Sequence, residues 1–496
     1  MKHIDADIVI VAAGLSGLAA AVSAGESGLK VVAFEKAAIT GGAANMGMGL
    51  LAINSKYQRA LGYHHSPQEM FDKHMHYSHW LADDARLVYD FYKGSENVID
   101  WLDDMGVQFR FNAMKLWTPV RLKPYGENEC VAHHVIPDDG GPVGPRCAST
   151  MTRRMTERAK ELDVEFHLST PVKRLIKEDG KIVGVIAVDE SGDELECRAK
   201  AVIVATGGFG DNTDMIREYT GLEWGKDLFS FRVPGNVGEG IKMVWDIGGA
   251  KGRPMLQMMY QIPDNMNHFT LEGAFRQPLL WVNKLGNRFM PEDCIGNTCH
   301  VGNAIYRQPG HTCFTIFDAD TLKYYKKRGV DIQGVQGLDV FKNFEKAAES
   351  AKAEGYKYYV EADSIEDLCE KTGIDLEGFR ETLMEYNECC EQKNDFVFGK
   401  EAEFLRPVKK PKFYALQSFL GAYGTLGGIK INHKTEVLNE DGRKIPGLYA
   451  VGTDAYSIAG DTYSFEMTAN TMSFCIVTGR MAGEYAANYV NSLHNC

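Results

Sequence analysis

One short stretch limits what this chain can become. Ile8-Val9-Ile10-Val11 is fully apolar, and it breaks at once into Ala12-Ala13-Gly14-Leu15-Ser16-Gly17. Four consecutive apolar residues suit a strand covered on both faces, as in a parallel sheet. The Ala-rich segment that follows reads as a helix ending near Gly28, and Lys30 to Glu35 as a second strand closed by an acid. A β-α-β unit with glycines in its first turn offers a helix N-terminus to the pyrophosphate of a dinucleotide. In that reading Ala13, Gly14 and Ser16 line the phosphates and Gly17 lets helix and strand pack closely. Glu35, about 20 residues on, accepts hydrogen bonds from the ribose. The pattern departs from G-x-G-x-x-G at its first glycine, which is Ala12.

A chain of 496 residues, 44% of them hydrophobic, has material for two or more cores. The net charge of -13 argues against nucleic acid or an anionic membrane as partner. Ile8 to Gly25 is nearly uncharged, but acids rather than basic residues precede it, so it is not read as a signal segment. No other stretch is apolar for long enough to span a bilayer. The expectation is a soluble, cytoplasmic protein. The 11 cysteines include no C-x-x-C pair and no haem-attachment motif. Cys294 and Cys299-His300 lack a second pair, and His64, His65, His74, His76 and His79 do not share a helical face. No metal is expected, and these histidines read as surface or half-buried.

After Glu35-Lys36, the run Ile39 to Gly49 is dense in small residues, including Gly41, Gly42, Ala43, Met48 and Gly49. Such a loop leaves backbone N–H groups open to a flat polar ring and its phosphate tail. Tyr89 to Met105 reads as one amphipathic helix with Trp101 and Leu102 inward. From Val164 the period changes to two: Val164–Leu168, Val172–Lys177, Lys181–Val188 and Glu194–Ala199 form an antiparallel meander, with a hairpin turn at Asp179-Gly180. A second buried strand, Ala201 to Ala205, runs into another glycine turn, Thr206-Gly207-Gly208. Residues 255–423 turn charged and helix-rich, with surface helices over Lys342–Lys357 and Ser364–Lys393. The buried pattern resumes at Gly427-Gly428 and Pro446 to Gly452, and a last helix covers about Met467 to Val490. The division expected is a nucleotide-binding domain over 1–254 and 424–496, interrupted by a second domain over 255–423.

Taken together these segments are similar to the flavoprotein family of fumarate reductase, succinate dehydrogenase and 3-ketosteroid dehydrogenase, over nearly the full length. The segments are Ala12–Gly17 with Glu35-Lys36, Ile39–Gly49, Val202–Gly208, Val282-Asn283 with Asn287-Arg288-Phe289, Gly427-Gly428, Ile445–Gly452 and Gly479-Arg480. The resemblance implies an α/β, Rossmann-like FAD-binding domain with a parallel sheet and an antiparallel meander, and an inserted α+β cap. It implies FAD, non-covalent because the small-residue loop holds no histidine, and hydride transfer between flavin N5 and a carbon–carbon bond beside an activating group. Further cofactor contacts are expected from Lys36, Val172, Ala205, Thr206, Gly207, Gly452, Thr453, Asp454, Asn470 and Met472.

The same resemblance narrows the substrate. A fumarate-type site needs two histidines, an arginine proton donor and a second arginine. The corresponding positions here are Met259, Gly424, Gly296 and Glu466, and a negative charge at the last would repel a dicarboxylate. The ketosteroid branch is closer: Gly460-Asp461-Thr462-Tyr463 resembles the turn whose tyrosine holds the substrate carbonyl. A phenol donating to that oxygen stabilises the enolate formed as hydride moves. Tyr260 and Tyr423, beside the lost histidines, join Met259 and Gly424 as substrate contacts. Glu272, Arg276 and Glu466 are the candidates for moving the proton. That branch departs too, since its catalytic tyrosine falls on Gly296. The expectation is an FAD-dependent ene-reductase or dehydrogenase on a fairly apolar ketone. Its electrons would come from a nicotinamide, a free flavin or a redox protein. Two alternatives stand beside it: a mono-acid such as an aryl acrylate, held by Arg146, Arg276 or Arg307, and an electron-transfer subunit of a larger complex.

Overall fold

The computed structural model describes residues 2–111, 131–229, 233–334 and 336–494. Its central sheet runs, edge to edge, Glu436–Leu438, Lys444–Ala450, Ala201–Val204, Ile8–Val11, Val31–Phe34 and Glu165–His167. Ile8–Val11 pairs in parallel with Val31–Phe34 on one side and Ala201–Val204 on the other, and Ala201–Val204 pairs with Lys444–Ala450. Apolar runs far apart in the chain thus meet in one layer. Each residue of the strands Ile8–Val11, Val31–Phe34 and Ala201–Val204 is buried, worth about 1.5–3 kcal/mol for each large side chain.

The helices Leu15–Gly25 and Asn470–His494 pack against each other beside this sheet. A Cβ on Gly479 would lie 2.3 Å from the Ser16 carbonyl oxygen, and one on Gly483 2.8 Å from that of Ala20. Two glycines one turn apart therefore bring the two backbones into direct contact. The meander Val172–Glu178, Lys181–Val188 and Glu194–Arg198 joins the same buried cluster as Val202 and Val204 through Val185 and Ala187. Lys2–Asp5 adds a parallel strand at its edge.

A second six-stranded sheet is antiparallel. The 16-residue strand Phe413–Gly428 pairs with Met255–Gln261, Thr312–Asp318 and Tyr359–Ala362, and its far end meets Ala455–Tyr456. Leu280–Val282 completes the sheet beside Thr312–Asp318. One strand therefore reaches from this sheet to the segment that follows Lys444–Ala450 of the parallel sheet.

Several expectations change. The segment Val164–Leu168 is not part of the meander: Glu165–His167 is the parallel edge strand beside Val31–Phe34. Its alternation reports one covered face, and either sheet supplies that. The helix expected over Tyr89–Met105 is two, Ala85–Ser95 capped by Asp84 and Val98–Asp103, separated at Glu96-Asn97 just past the poor helix formers Gly94 and Ser95. Trp101 and Leu102 are inward as expected. Ser364–Lys393 splits into Ile365–Thr372 and Leu376–Gln392 at Gly373, which takes a left-handed φ of 74°. Lys342–Lys357 contains the shorter helix Phe344–Ala353. The stretch read as helix-rich carries most of the antiparallel sheet, whose strands are covered on both faces and so show no clean alternation.

His74 and His65 are buried rather than superficial. Among the described residues no group of three or more His, Cys, Asp or Glu could hold a metal ion, and no helix is long and apolar enough to cross a membrane.

Candidate active site

The Leu15–Gly25 helix starts at Gly14 without a side-chain cap and without an acid in its first turn, yet Leu15, Ser16 and Gly17 are buried. A buried helix end with uncapped amides is what a phosphate satisfies. A Cβ on Gly14 would meet nothing within 4 Å, whereas one on Gly17 would lie 2.0 Å from the Ala12 carbonyl oxygen. The turn is thus open outward at Gly14 and closed inward at Gly17. Ala12, where the pattern has glycine, holds a left-handed φ of 82°, costing on the order of 1–2 kcal/mol. Glu35 is buried, and its carboxylate accepts from the Ala13 and Ala37 amides at 2.8 Å each. Two of its roughly four acceptor positions stay available for ribose hydroxyls.

The Gly41 amide donates to the Ala13 carbonyl at 2.8 Å, docking the small-residue loop on the phosphate turn. Gly42 and Ala43 are exposed, Met48 is half-buried, and Gly49 opens the short strand Gly49–Leu51. Met472 meets the loop at Gly47, where a Cβ would lie 2.5 Å from its sulfur. Lys36 reaches the Gly235 carbonyl and Glu239. The Thr170 amide bonds the Glu35 carbonyl at 2.8 Å, which carries Val172 toward the same turn. Ala205 bonds Val11 at 2.9 Å, and Gly452 lies against Ser16.

Two expected cofactor contacts do internal work. Asp454 is fully buried, and its carboxylate accepts from the Thr206 hydroxyl and amide and from the Gly208 amide at 2.8 Å. It ties the second glycine turn, with Gly207, to Gly452 and Thr453. Burial pushes its carboxyl above the ordinary range, against the pull of those donors. The Asn470 side chain donates to the Ser464 and Met467 carbonyls at 2.7 and 2.9 Å and accepts from Tyr456.

The remaining candidates gather around Cys299, fully buried in the first turn of the helix Thr298–Tyr306. Tyr77, Tyr423, Tyr463 and Arg276 all lie within electrostatic reach of its thiol, which burial pushes up to about 12. Tyr423 stacks on Phe465 at 6.1 Å and 13° and faces Tyr463 at 6.0 Å. Tyr423 is 46% exposed, so its ring lies at an accessible face rather than in the core. The Thr471 hydroxyl donates to Tyr463 at 3.0 Å. Tyr260 is buried beneath the Arg276 guanidinium, 5.1 Å from its ring, and edge-on to Trp281. Its hydroxyl finds no hydrogen-bond partner among the described residues. Burial pushes the hydroxyls of Tyr260, Tyr423 and Tyr463 up, so all three carry their protons at neutral pH. Glu272 is buried, accepts from Gln336 at 3.1 Å, and is raised by burial against the opposing charge of Arg276. Met259 lies under Gly302 of the helix, Gly424 faces Gln257, and Glu466 is half-buried beside Tyr77. Arg146 and Arg307 are exposed.

The Tyr463 turn is anchored by a residue that sequence reasoning set aside. The imidazole of His74, fully buried, bonds the Ile458 carbonyl through Nε2 at 2.8 Å. A carbonyl only accepts, so Nε2 carries the proton and Nδ1 accepts from the Tyr92 hydroxyl at 2.7 Å. Burial holds its pKa at about 4, so the neutral form persists across the physiological range. Tyr77, Asn297 and His300, which touch one another beside this cluster, were likewise not singled out. The only sequence signal was the histidine-rich helix and the Cys299-His300 pair, which was weighed for metal instead.

A nucleotide cradle on a parallel sheet, together with a cluster of tyrosines around the second sheet, fits a dinucleotide-dependent redox enzyme. The sequence profile of a family described as "FAD binding domain" matches residues 7–466, and the chain belongs to that family. It is 30% identical over 508 residues to the vinyl phenol reductase of Lactiplantibacillus plantarum, covering 99% of this chain and 98% of that protein. A fumarate reductase (cytochrome) of Shewanella frigidimarina is 28% identical, covering 98% of this chain and 78% of that one. The solved 3-ketosteroid delta1-dehydrogenase from Sterolibacterium denitrificans superposes with a TM-score of 0.77 at 19% identity, covering 98% of this chain and 99% of that chain. The protein is an FAD-dependent oxidoreductase acting on carbon–carbon double bonds.

The uncapped, buried start of the Leu15–Gly25 helix and the open face at Gly14 fit the FAD pyrophosphate. Bound there, FAD supplies hydride exchange with the substrate carbon.

Proposed function

We propose that the protein is an ene-reductase for a small, fairly apolar molecule whose double bond is conjugated to a neutral polar group, a phenol or a ketone. The observation that carries this reading is the wall formed by Tyr423 and Phe465, stacked at 13°, beside the hydroxyl of Tyr463. A flat conjugated molecule lies against such a wall. Protonated phenols at Tyr463 and Tyr423 donate to its oxygen and stabilise the charge that builds there as hydride arrives. Met259 and Gly424 offer no imidazole to a carboxylate, and Glu466 adds a negative charge. In this reading residues 255–423 form the cap, and 1–254 with 424–496 hold FAD. The relative whose name specifies a vinyl phenol supports the phenol form of the substrate.

A second reading is an unsaturated aryl mono-acid, favoured by Arg276, a cation within the tyrosine cluster. The test is anaerobic reoxidation of the dithionite-reduced enzyme by 4-vinylphenol, 2-cyclohexenone, 4-coumarate and fumarate. Reoxidation by the neutral alkenes at rates well above both acids is expected. Reoxidation by 4-coumarate or fumarate with no response to the neutral pair overturns the reading.

A further inference from the structure

Reduction of a double bond adds a hydride to one carbon and a proton to the other, so the site must contain an acid. Gly296, at the head of the helix that carries Cys299, has no side chain to offer. Its neighbour Asn297 caps that helix: its Oδ1 accepts from the His300 amide at 3.1 Å. This bond fixes the orientation of the amide group, so the other end, Nδ2, donates to the hydroxyl oxygen of Tyr77 at 2.9 Å. Tyr77 is therefore an acceptor in that bond, and its own O–H is left to point elsewhere. The ring is clamped as well, stacked on His300 at 5.1 Å and 13°. The hydroxyl lies in reach of Cys299, as do those of Tyr423 and Tyr463, and Glu466 stands beside it. His300 is exposed, so solvent reaches this corner.

We infer that Tyr77 is the proton donor of the reaction, with Asn297 and His300 as the residues that aim it. As hydride reaches one carbon, the Tyr77 O–H bond breaks and a C–H bond forms at the other carbon. The phenolate left behind takes a proton from solvent past His300, and the pair of electrons in the new C–H bond comes from the former double bond. This assignment rests on the ene-reductase reading for its chemistry but not for its choice of substrate.

The experiment compares wild type with Tyr77→Phe and Asn297→Asp, all loaded with FAD. Phenylalanine keeps the ring stack. Aspartate keeps the helix cap but can only accept, so it draws the Tyr77 proton toward itself and away from substrate. Both variants are expected to be reduced by dithionite as wild type is, and to bind 4-ethylphenol, the saturated analogue, with Kd within about threefold. Their reoxidation by whichever panel alkene oxidises wild type should slow about 100-fold or more. If wild type responds to 4-coumarate alone, the substrate reading fails, and the Tyr77 comparison is made on that acid. Tyr77→Phe turning over within threefold of wild type, or losing 4-ethylphenol affinity in proportion to rate, overturns the assignment.

Discussion

Replacing Arg288 with methionine asks what fixes the loop after the Leu376–Gln392 helix to the strands near the cavity. The Arg288 guanidinium donates Nε and Nη2 to the two Glu292 oxygens at 2.8 Å each, and Nη2 also reaches Asp395 at 2.7 Å. The three side chains are 2%, 0% and 0% exposed. Lys400, equally buried, stands 3.5 Å from Glu292 and donates to Tyr386 and the Leu279 carbonyl. Methionine preserves much of the stem but leaves two buried carboxylates to one cation, a loss of about 3–5 kcal/mol. Burial pushes Asp395 up, but Arg288 and the Phe398 and Val397 amides prevail and hold it at about 2 against an ordinary 3.8. That difference contributes on the order of 2 kcal/mol at neutral pH. Because the folded value is the lower one, the contribution is complete well above pH 3.8 and vanishes as pH falls through 2, with about half left at pH 3. Urea unfolding of wild type, Arg288→Met, Asp395→Asn and the double variant at pH 7 gives the coupling. We expect the double variant to be more stable than the sum of the single losses by more than about 1 kcal/mol. The gap between wild type and Asp395→Asn should also narrow at pH 3. Additivity within about 0.5 kcal/mol, or a gap independent of pH, refutes the argument.

Gly17→Ala drives a methyl group into the Ala12 carbonyl, 2.0 Å away; purified variant should carry less than a tenth of the wild-type flavin absorbance while keeping its far-UV spectrum. His74→Leu removes the bond to Ile458 and leaves a buried carbonyl without a partner, a cost of about 1–3 kcal/mol. The Michaelis constant of the alkene should rise about tenfold while dithionite reduction is unchanged, and His74→Gln, which can still donate, should recover part of the loss. Tyr463→Phe deletes one neutral donor, worth about 1–1.5 kcal/mol, and should raise the Kd of 4-ethylphenol about tenfold in a flavin-perturbation titration.

The nucleotide half of the molecule was legible because its physics is local. A strand covered on both faces must be apolar throughout, and Ile8–Val11, Val31–Phe34 and Ala201–Val204 show this in four residues each. The turn at Gly14 to Gly17 was likewise visible as small residues at a strand-to-helix junction. The antiparallel sheet was not legible, since Phe413–Gly428 is flanked by strands from four separate segments and buried by side chains distant in sequence. Period-two alternation at Glu165–His167 showed one covered face and could not say which sheet would cover the other.

The candidate site divides in the same way. By itself the sequence determined a dinucleotide fold, and its resemblance to the fumarate reductase branch implied that the cations of that site are replaced by Met259, Gly424, Gly296 and Glu466. A residue's type sets its chemistry wherever it lands, and loss of charge is visible without coordinates. Only the tertiary structure decided that Tyr77, more than 200 positions before Asn297, meets it at 2.9 Å, and that His74 holds the Ile458 turn carrying Tyr463. Those pairings arise when segments far apart in the chain pack against the helix Pro67–Tyr77. No local rule of spacing records a contact that depends on how distant elements pack.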